Sequence, residues 1–135
     1  MTKQFLDSGF IIALETDDDQ DHQSAWRFWQ ELLRKPPNLV TTSYVFDEVV
    51  TFFNSRGRHA KAVELGRRLL QSSYVQFIHV DTLLFEEGWA YFRKRPDKRF
   101  SLTDCVSFVV MEKQGIREAL SFDGHFQQAG FRRLP

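Results

Sequence analysis

Short apolar runs alternate along the chain with longer runs in which apolar residues recur at helical spacing. The short runs predict strands at residues 4–7, 39–41, 75–80 and 119–122, and the tail near Phe131 is a candidate edge strand. The longer runs predict helices at residues 9–14, 43–56, 60–71 and 102–114, with two more that begin after the N-cap residues Asp21 and Asp81. Strands that alternate with helices are typical of an α/β sandwich with a mainly parallel central sheet.

Two of these helices carry large apolar residues along one side. The two stripes are Trp26, Trp29 and Leu33 in the first helix, and Phe85, Trp89 and Phe92 in the second. Such a stripe packs into the core, against a second copy of the chain or against another protein. The spacing alone leaves these three uses open.

The composition indicates one compact domain that spans residues 1–135. With 42% hydrophobic and 27% charged residues, the chain can bury a core, and whole-chain disorder is excluded. No apolar run approaches the roughly 20 residues of a membrane span, and the first residues lack the apolar region of a signal peptide. Cys105 is the only cysteine, which excludes an internal disulfide and a multi-cysteine metal site. We therefore expect a cytoplasmic protein with no membrane partner.

The charges balance overall but are unevenly placed. Eighteen Lys and Arg residues oppose 18 Asp and Glu residues, so net charge favours no class of partner. The most basic stretch, residues 93–99, directly precedes the helix that carries Asp104. It is either a solvated loop or a surface for a phosphate backbone.

Four acidic residues occupy positions that a parallel sheet brings to one end. Asp7 and Asp123 end the first and fourth predicted strands, Asp104 lies in the first turn of an apolar helix, and Glu48 borders the buried arc of helix 43–56. Ligands in such folds bind beyond the carboxyl ends of the strands. Asp47, by contrast, points to solvent on the same helical wheel.

Each acid also has a simpler structural use. Asp7 can cap a helix, Asp123 can form a turn with Gly124, and Asp104 can complete a capping box with Ser101. Glu48 can form an ion pair or lie at a solvated edge. None of these uses explains why the four acids coincide.

The chemistry of converging carboxylates favours a hard cation. Two carboxylates about 5 Å apart repel each other by roughly 3 kcal/mol at an effective dielectric near 20. Oxygen ligands without a partnering Cys or His favour Mg²⁺ or Mn²⁺, ions that assist hydrolysis of phosphodiesters. The sequence therefore suggests metal-dependent phosphodiester hydrolysis.

The segments that carry these acids resemble the motifs of PIN-domain ribonucleases, in particular the VapC-like toxins of toxin–antitoxin pairs. The resemblance covers essentially the whole chain, in order and spacing. Its four segments are residues 5–8 (Phe-Leu-Asp-Ser), 41–48 (Thr-Thr-Ser-Tyr-Val-Phe-Asp-Glu), 102–105 (Leu-Thr-Asp-Cys) and 121–126 (Ser-Phe-Asp-Gly-His-Phe).

This resemblance implies a three-layer α/β/α sandwich and Mg²⁺- or Mn²⁺-dependent cleavage of RNA by an activated water. Asp7 and Asp104 would be the main metal ligands, and Glu48 and Asp123 would complete the acidic pocket or hold bridging waters. All four are thus candidate catalytic and metal-binding residues. Two serines, Ser8 and Ser121, would donate hydrogen bonds to the acids.

The resemblance also implies partners. A PIN toxin cleaves an RNA substrate, is covered by a cognate antitoxin protein and forms a homodimer. The alternative is a housekeeping PIN nuclease, which would share the pocket without being a toxin. His125 follows Asp123 closely and is a further candidate for a catalytic role.

Two other classes of protein remain as alternatives. A signalling receiver domain has a similar size and binds Mg²⁺, but it needs an acidic pair after the first strand and a Lys after the last core strand. The chain has Asp7-Ser8 and Asp123-Gly124 at those places. A PIN-like interaction module without activity should have lost at least one acid, whereas all four are present.

Overall fold

The computed structural model describes residues 2–135, in which five parallel strands form one sheet in the order β3-β2-β1-β4-β5. The strands are β1 (Gln4–Leu6), β2 (Leu39–Thr42), β3 (Val75–Ile78), β4 (Glu118–Leu120) and β5 (Arg132–Leu134). In register, Phe5 of β1 lies beside Val40 of β2 on one side and Ala119 of β4 on the other. The predicted parallel sheet is confirmed, and β5 is the edge strand expected near Phe131.

Seven helices connect and cover the strands. They are α1 (Ser8–Leu14), α2 (His22–Leu32), α3 (Ser43–Ser55), α4 (His59–Gln71), α5 (Thr82–Arg93), α6 (Leu102–Gln114) and α7 (His125–Gln128). Helices α1 to α4 pack on one another, and α5, α6 and α7 form a second group. Because parallel crossovers are right-handed, this strand order places the two groups on opposite faces of the sheet. The result is the predicted three-layer α/β/α sandwich.

The strand and helix limits differ from the predicted ones by one or two residues at most ends. Strands β1, β3 and β4 end before Asp7, His79 and Ser121, because the chain turns out of the sheet there into the loops that carry the polar residues. The short helix α7 was not predicted. The sequence Asp123-Gly124 reads as a turn, and four helical residues leave no periodic signal.

Helix α6 is the central element of the second helical layer. Its residues from Asp104 to Met111 are all buried. Gly88 of α5 allows the close approach, because a Cβ atom there would lie 2.5 Å from Cγ2 of Val106. The Phe108 ring packs edge-to-face on Phe126 at 5.1 Å between centroids, which ties α7 to α6.

Two predicted N-caps have different outcomes. The Asp81 carboxylate accepts a hydrogen bond from the Leu84 N–H at 2.8 Å, so the cap of α5 is confirmed. Asp21 occupies the N-cap position of α2 but makes no capping bond, and that prediction is wrong. Its backbone has φ −100° and ψ 5° rather than an extended conformation, and its N–H donates to Oδ1 of Asp19 at 2.8 Å.

The aromatic stripe on α5 lies on the surface. Phe85, Trp89 and Phe92 are 40–45% exposed, and the Trp89 and Phe92 rings stack at 5.6 Å. On α2, Trp26 is also exposed, whereas Trp29 packs against the core. None of the helices in residues 2–135 combines the length and the apolar character needed to cross a membrane.

Candidate active site

The four acids lie beyond the carboxyl ends of β1, β2 and β4 or on helices that begin there. Strand order reverses between β1 and β4: β2 and β3 extend the sheet from β1, and β5 extends it from β4. Such a reversal opens a crevice at the carboxyl ends of the two central strands. Asp7 directly follows β1, and the loop after β4 begins with Ser121.

Asp7 is buried and held by the loop after β4. Its backbone N–H donates to the Leu120 carbonyl at 3.1 Å, which continues the β1–β4 ladder by one residue. Its Oδ2 accepts a hydrogen bond of 2.7 Å from Oγ of Ser121, and that same Oγ accepts one of 3.0 Å from the Asp123 N–H. The Asp7 side chain does not cap α1. It is therefore fixed across the sheet, facing the other acids.

The pKa of Asp7 is raised from 3.8 to about 7, chiefly by burial and in part by the negative charges of Asp104 and Glu48. The hydrogen bond from Ser121 opposes this rise. A positive charge brought close to this carboxylate would stabilise its ionised form further.

Glu48 lies on the second turn of α3, half-buried on the side that faces the crevice. Its Oε1 accepts a hydrogen bond from Oγ of Ser8 at 2.8 Å. Burial raises the pKa of Glu48, the Asp104 charge raises it further, and hydrogen bonds from Ser8 and Thr103 lower it. The neighbouring Asp47 is exposed, as the helical wheel predicts.

Asp104 is buried in the first turn of α6 by a reciprocal capping box. Oγ of Ser101 accepts from the Asp104 N–H at 3.0 Å, and Oδ2 of Asp104 accepts from the Ser101 N–H at 3.1 Å. The capping use considered from the sequence is thus real, and it orients the carboxylate toward Asp7 and Glu48, whose pKa values its charge raises.

Asp123 lies at the outer side of this group and contacts it through His125. Its Oδ1 accepts from the His125 backbone N–H at 2.9 Å and lies 3.4 Å from the ring Nδ1. Nδ1 also lies 3.0 Å from Oδ2 of Asp104. Asp104, Asp123 and His125 each offer one ligand atom, and these three atoms lie within 4.8 Å of one another.

The structure thus brings Asp7, Glu48 and Asp104 into electrostatic contact, with Asp123 adjacent through His125. Within residues 2–135, no Lys or Arg forms an ion pair with any of the four. Buried and half-buried carboxylates that no Lys or Arg neutralises are the donor set of a hard divalent cation. The residues present therefore fit a metal ion of this kind.

His125 is the residue of this site that was not among the four acids predicted from the sequence. Its position after Asp123 indicated proximity, but no spacing rule predicts a contact with Asp104, which lies 21 residues away. The contact depends on how α7 packs on α6.

The basic stretch approaches the site through Phe100, whose ring lies 5.4 Å from that of His125. The Arg95 side chain is held against helix α5. Its guanidinium lies 3.3 Å from the centre of the Tyr91 ring and donates a hydrogen bond of 3.0 Å to the Tyr91 carbonyl. Lys98 and Arg99 are exposed immediately before the start of α6.

Comparison with known proteins finds a matching family and a relative that is similar in sequence. A family model described as the PIN domain matches residues 5–132. The chain is 37% identical over 127 residues, 94% of each chain, to a protein of Mycobacterium tuberculosis described as the 23S rRNA-specific endonuclease VapC20.

Solved structures agree with this result. The crystal structure of M. tuberculosis VapC20, described as a sarcin–ricin loop cleaving toxin, matches with a TM-score of 0.85 and 36% identity over 94% of this chain and 95% of that one. FitAcB from Neisseria gonorrhoeae matches with a TM-score of 0.67 at 13% identity over 97% and 96% of the two chains. A toxin–antitoxin complex from Klebsiella pneumoniae matches with a TM-score of 0.60 at 15% identity over 90% and 87%. The last two show the fold alone. From the family match and the 37% identity over nearly the whole chain, we conclude that this chain belongs to the PIN-domain family.

Proposed function

We propose that residues 1–135 act as a single PIN nuclease domain that hydrolyses RNA phosphodiester bonds with Mg²⁺ or Mn²⁺. The observation that carries the proposal is a buried Asp7, its pKa raised to about 7, in contact with the charges of Asp104 and Glu48. No Lys or Arg within residues 2–135 pairs with the four acids of the site, and His125 contacts only Asp104 and Asp123 among them. A divalent cation is the group whose binding compensates these charges.

Asp7 and Asp104 would hold the ion, and Glu48 and Asp123 would complete the acidic pocket. When bound, such an ion lowers the pKa of a water molecule and stabilises the charge that develops on a transferring phosphoryl group. The protein contributes fixed carboxylates, since Ser121 holds Asp7 and the capping box holds Asp104. Their orientation is set before any substrate arrives.

The substrate is inferred from the relative. VapC20 is described as an endonuclease of 23S rRNA and as a toxin that cleaves the sarcin–ricin loop. We propose ribosomal RNA as the substrate class of this chain too, which places its activity in the cytoplasm. The exposed Lys98 and Arg99 would contact the RNA backbone as it enters the acidic site.

The description of that relative as a toxin bears on the protein partner of this chain. A toxin nuclease in a cell needs an inhibitor, so we propose a cognate antitoxin protein. We also propose a homodimer, for which the exposed Phe85, Trp89 and Phe92 offer an apolar surface. Sedimentation of the purified protein tests the dimer, and a monomer at micromolar concentration contradicts it.

A cleavage assay with matched variants tests the function. Purified protein is incubated with protein-free 23S rRNA in Mg²⁺, in Mn²⁺ and in EDTA, and primer extension maps the cuts. We expect cleavage at a restricted site, only with metal, in wild type and in the exposed-acid control Asp47→Asn, and none in Asp104→Asn. A folded protein that binds metal and leaves the RNA intact would support the inactive interaction module instead.

Growth arrest separates a toxin from a housekeeping nuclease. Induced expression of the wild type should arrest bacterial growth, and Asp104→Asn should not. Cleavage in vitro without growth arrest would remove the toxin assignment and leave the nuclease.

A further inference from the structure

His125 is held in place by contacts of its backbone and of its ring. Its backbone N–H donates to Oδ1 of Asp123 at the start of α7, and its ring lies edge-to-face with the Phe100 ring, at 5.4 Å between centroids and 74° between planes. Its Nδ1 lies 3.0 Å from Oδ2 of Asp104. These contacts leave the ring little freedom, although it is partly open to solvent.

The Asp104 carboxylate is asymmetric in its contacts. Oδ2 accepts two hydrogen bonds, one from the Ser101 N–H at 3.1 Å and one from Nδ1 of His125 at 3.0 Å. Its other oxygen, Oδ1, has no hydrogen-bond partner in the described part of the chain, residues 2–135. The capping box supplies one of these donors. The second donor, from a different element, further restricts rotation of the carboxylate about the Cβ–Cγ bond.

We propose that His125 is a positioning residue, whose Nδ1–H holds Asp104 so that its free oxygen Oδ1 is presented to a divalent cation shared with Asp7. This inference rests on the proposed function, because it concerns the metal site of the nuclease. Hydrogen-bond donors that orient a metal-binding carboxylate commonly contribute 10- to 100-fold to metal affinity.

The distances favour this role over direct ligation by Nδ1. A nitrogen that donates its proton to a carboxylate oxygen at 3.0 Å has no lone pair left for an ion. Direct ligation by a ring nitrogen of His125, with Asp104 and Asp123 as the other ligands, is the competing arrangement. The two arrangements predict different behaviour of an Asn variant and a different signal from bound Mn²⁺.

The test measures Mn²⁺ affinity by calorimetry, with EDTA-treated protein and Mn²⁺ alone as the probe. His125→Ala removes the donor and should weaken Mn²⁺ binding by about 10- to 100-fold. His125→Asn places an amide N–H near the position of Nδ1 and should restore the affinity to within a few-fold of wild type. The control is His59→Ala, because His59 lies at the start of α4 against Asn54 and should leave the affinity unchanged.

Pulsed electron paramagnetic resonance on the Mn²⁺-loaded wild type supplies the second readout. We expect no coupling from a directly bound imidazole nitrogen. Such a coupling in wild type that disappears in His125→Ala would overturn the positioning role in favour of ligation.

The remaining outcomes are also decisive. A His125→Ala variant that folds, as judged by circular dichroism, and binds Mn²⁺ as tightly as wild type overturns the inference but leaves the proposed nuclease intact. A wild type that binds no Mn²⁺ overturns the metal site itself and this inference with it.

Discussion

Replacing Asp7 by Asn should stabilise the metal-free protein at pH 8. Burial, together with the charges of Asp104 and Glu48, raises the pKa of Asp7 from 3.8 to about 7. The native state therefore holds this proton more tightly than the unfolded chain does, and the free energy of unfolding decreases as pH rises from about 4 to about 7. At about 1.4 kcal/mol for each tenfold change in proton affinity, ionised Asp7 destabilises the metal-free fold by about 4 kcal/mol.

Asn removes the charge but keeps an oxygen that can accept the hydrogen bond from Ser121. The assay is urea unfolding of wild type and Asp7→Asn in EDTA at pH 5 and pH 8. The difference between the two proteins cancels the groups that titrate in both. We expect the advantage of Asp7→Asn to grow by about 3 kcal/mol from pH 5 to pH 8.

Two further measurements complete this test. Added Mn²⁺ should stabilise the wild type more than the variant, because only the wild type brings the full charge to the ion. The exposed-acid variant Asp47→Asn should show no such change with pH. If the difference between wild type and Asp7→Asn does not change with pH, the carboxylate is not destabilised by its surroundings and the reasoning fails.

Three other predictions follow from single features of the fold. Replacing Lys98 and Arg99 by Gln should flatten the dependence of log K for RNA binding on log salt by about 1.4, at about 0.7 for each lost phosphate contact. Gly88→Ala should destabilise the protein by about 1–3 kcal/mol in urea unfolding, because the new Cβ would lie 2.5 Å from Cγ2 of Val106. The Cys105 thiol, fully buried and with its pKa raised by burial to about 11, should react with a thiol reagent at pH 8 only after unfolding.

A specific result would contradict each of these three predictions. An unchanged salt slope removes the basic loop from the RNA path. Gln at Arg34 and Lys35, which precede β2 at the amino end of the strands, serves as the control. For Gly88, adding Val106→Ala should recover part of the lost stability, and no recovery would locate the strain elsewhere. Reaction of Cys105 in the folded state would mean that α6 opens on the timescale of the assay.

The acids of the site could be predicted because each is marked by local sequence. Asp104 follows Ser101 at capping-box spacing within an apolar helix, and it is buried where that pattern puts it. The helical periodicity of α3 places Glu48 on its half-buried side and Asp47 on its exposed side. Asp7 lies at the end of an apolar run, which in a parallel sheet sets both its burial and its place at the carboxyl edge.

The features that could not be predicted from the sequence depend on tertiary packing. The contact between His125 and Asp104 exists only because Phe126 docks α7 on Phe108 of α6, and four helical residues give no periodic signal. Similarly, the spacing of Phe85 and Trp89 shows that they share a face, but not that α5 turns another face toward α6. Gly88 sets that choice, because only its side of α5 can approach α6 closely.

Anomalous diffraction from crystals soaked in Mn²⁺ tests most directly whether Asp7 and Asp104 bind one divalent cation, since the anomalous signal identifies the ion. We expect one peak about 2.1 Å from a carboxylate oxygen of each of these two residues, and no peak there in Asp7→Asn. An ion bound only by Asp123 and His125, or no ion in crystals of the folded wild type, would show that Asp7 and Asp104 do not share a cation.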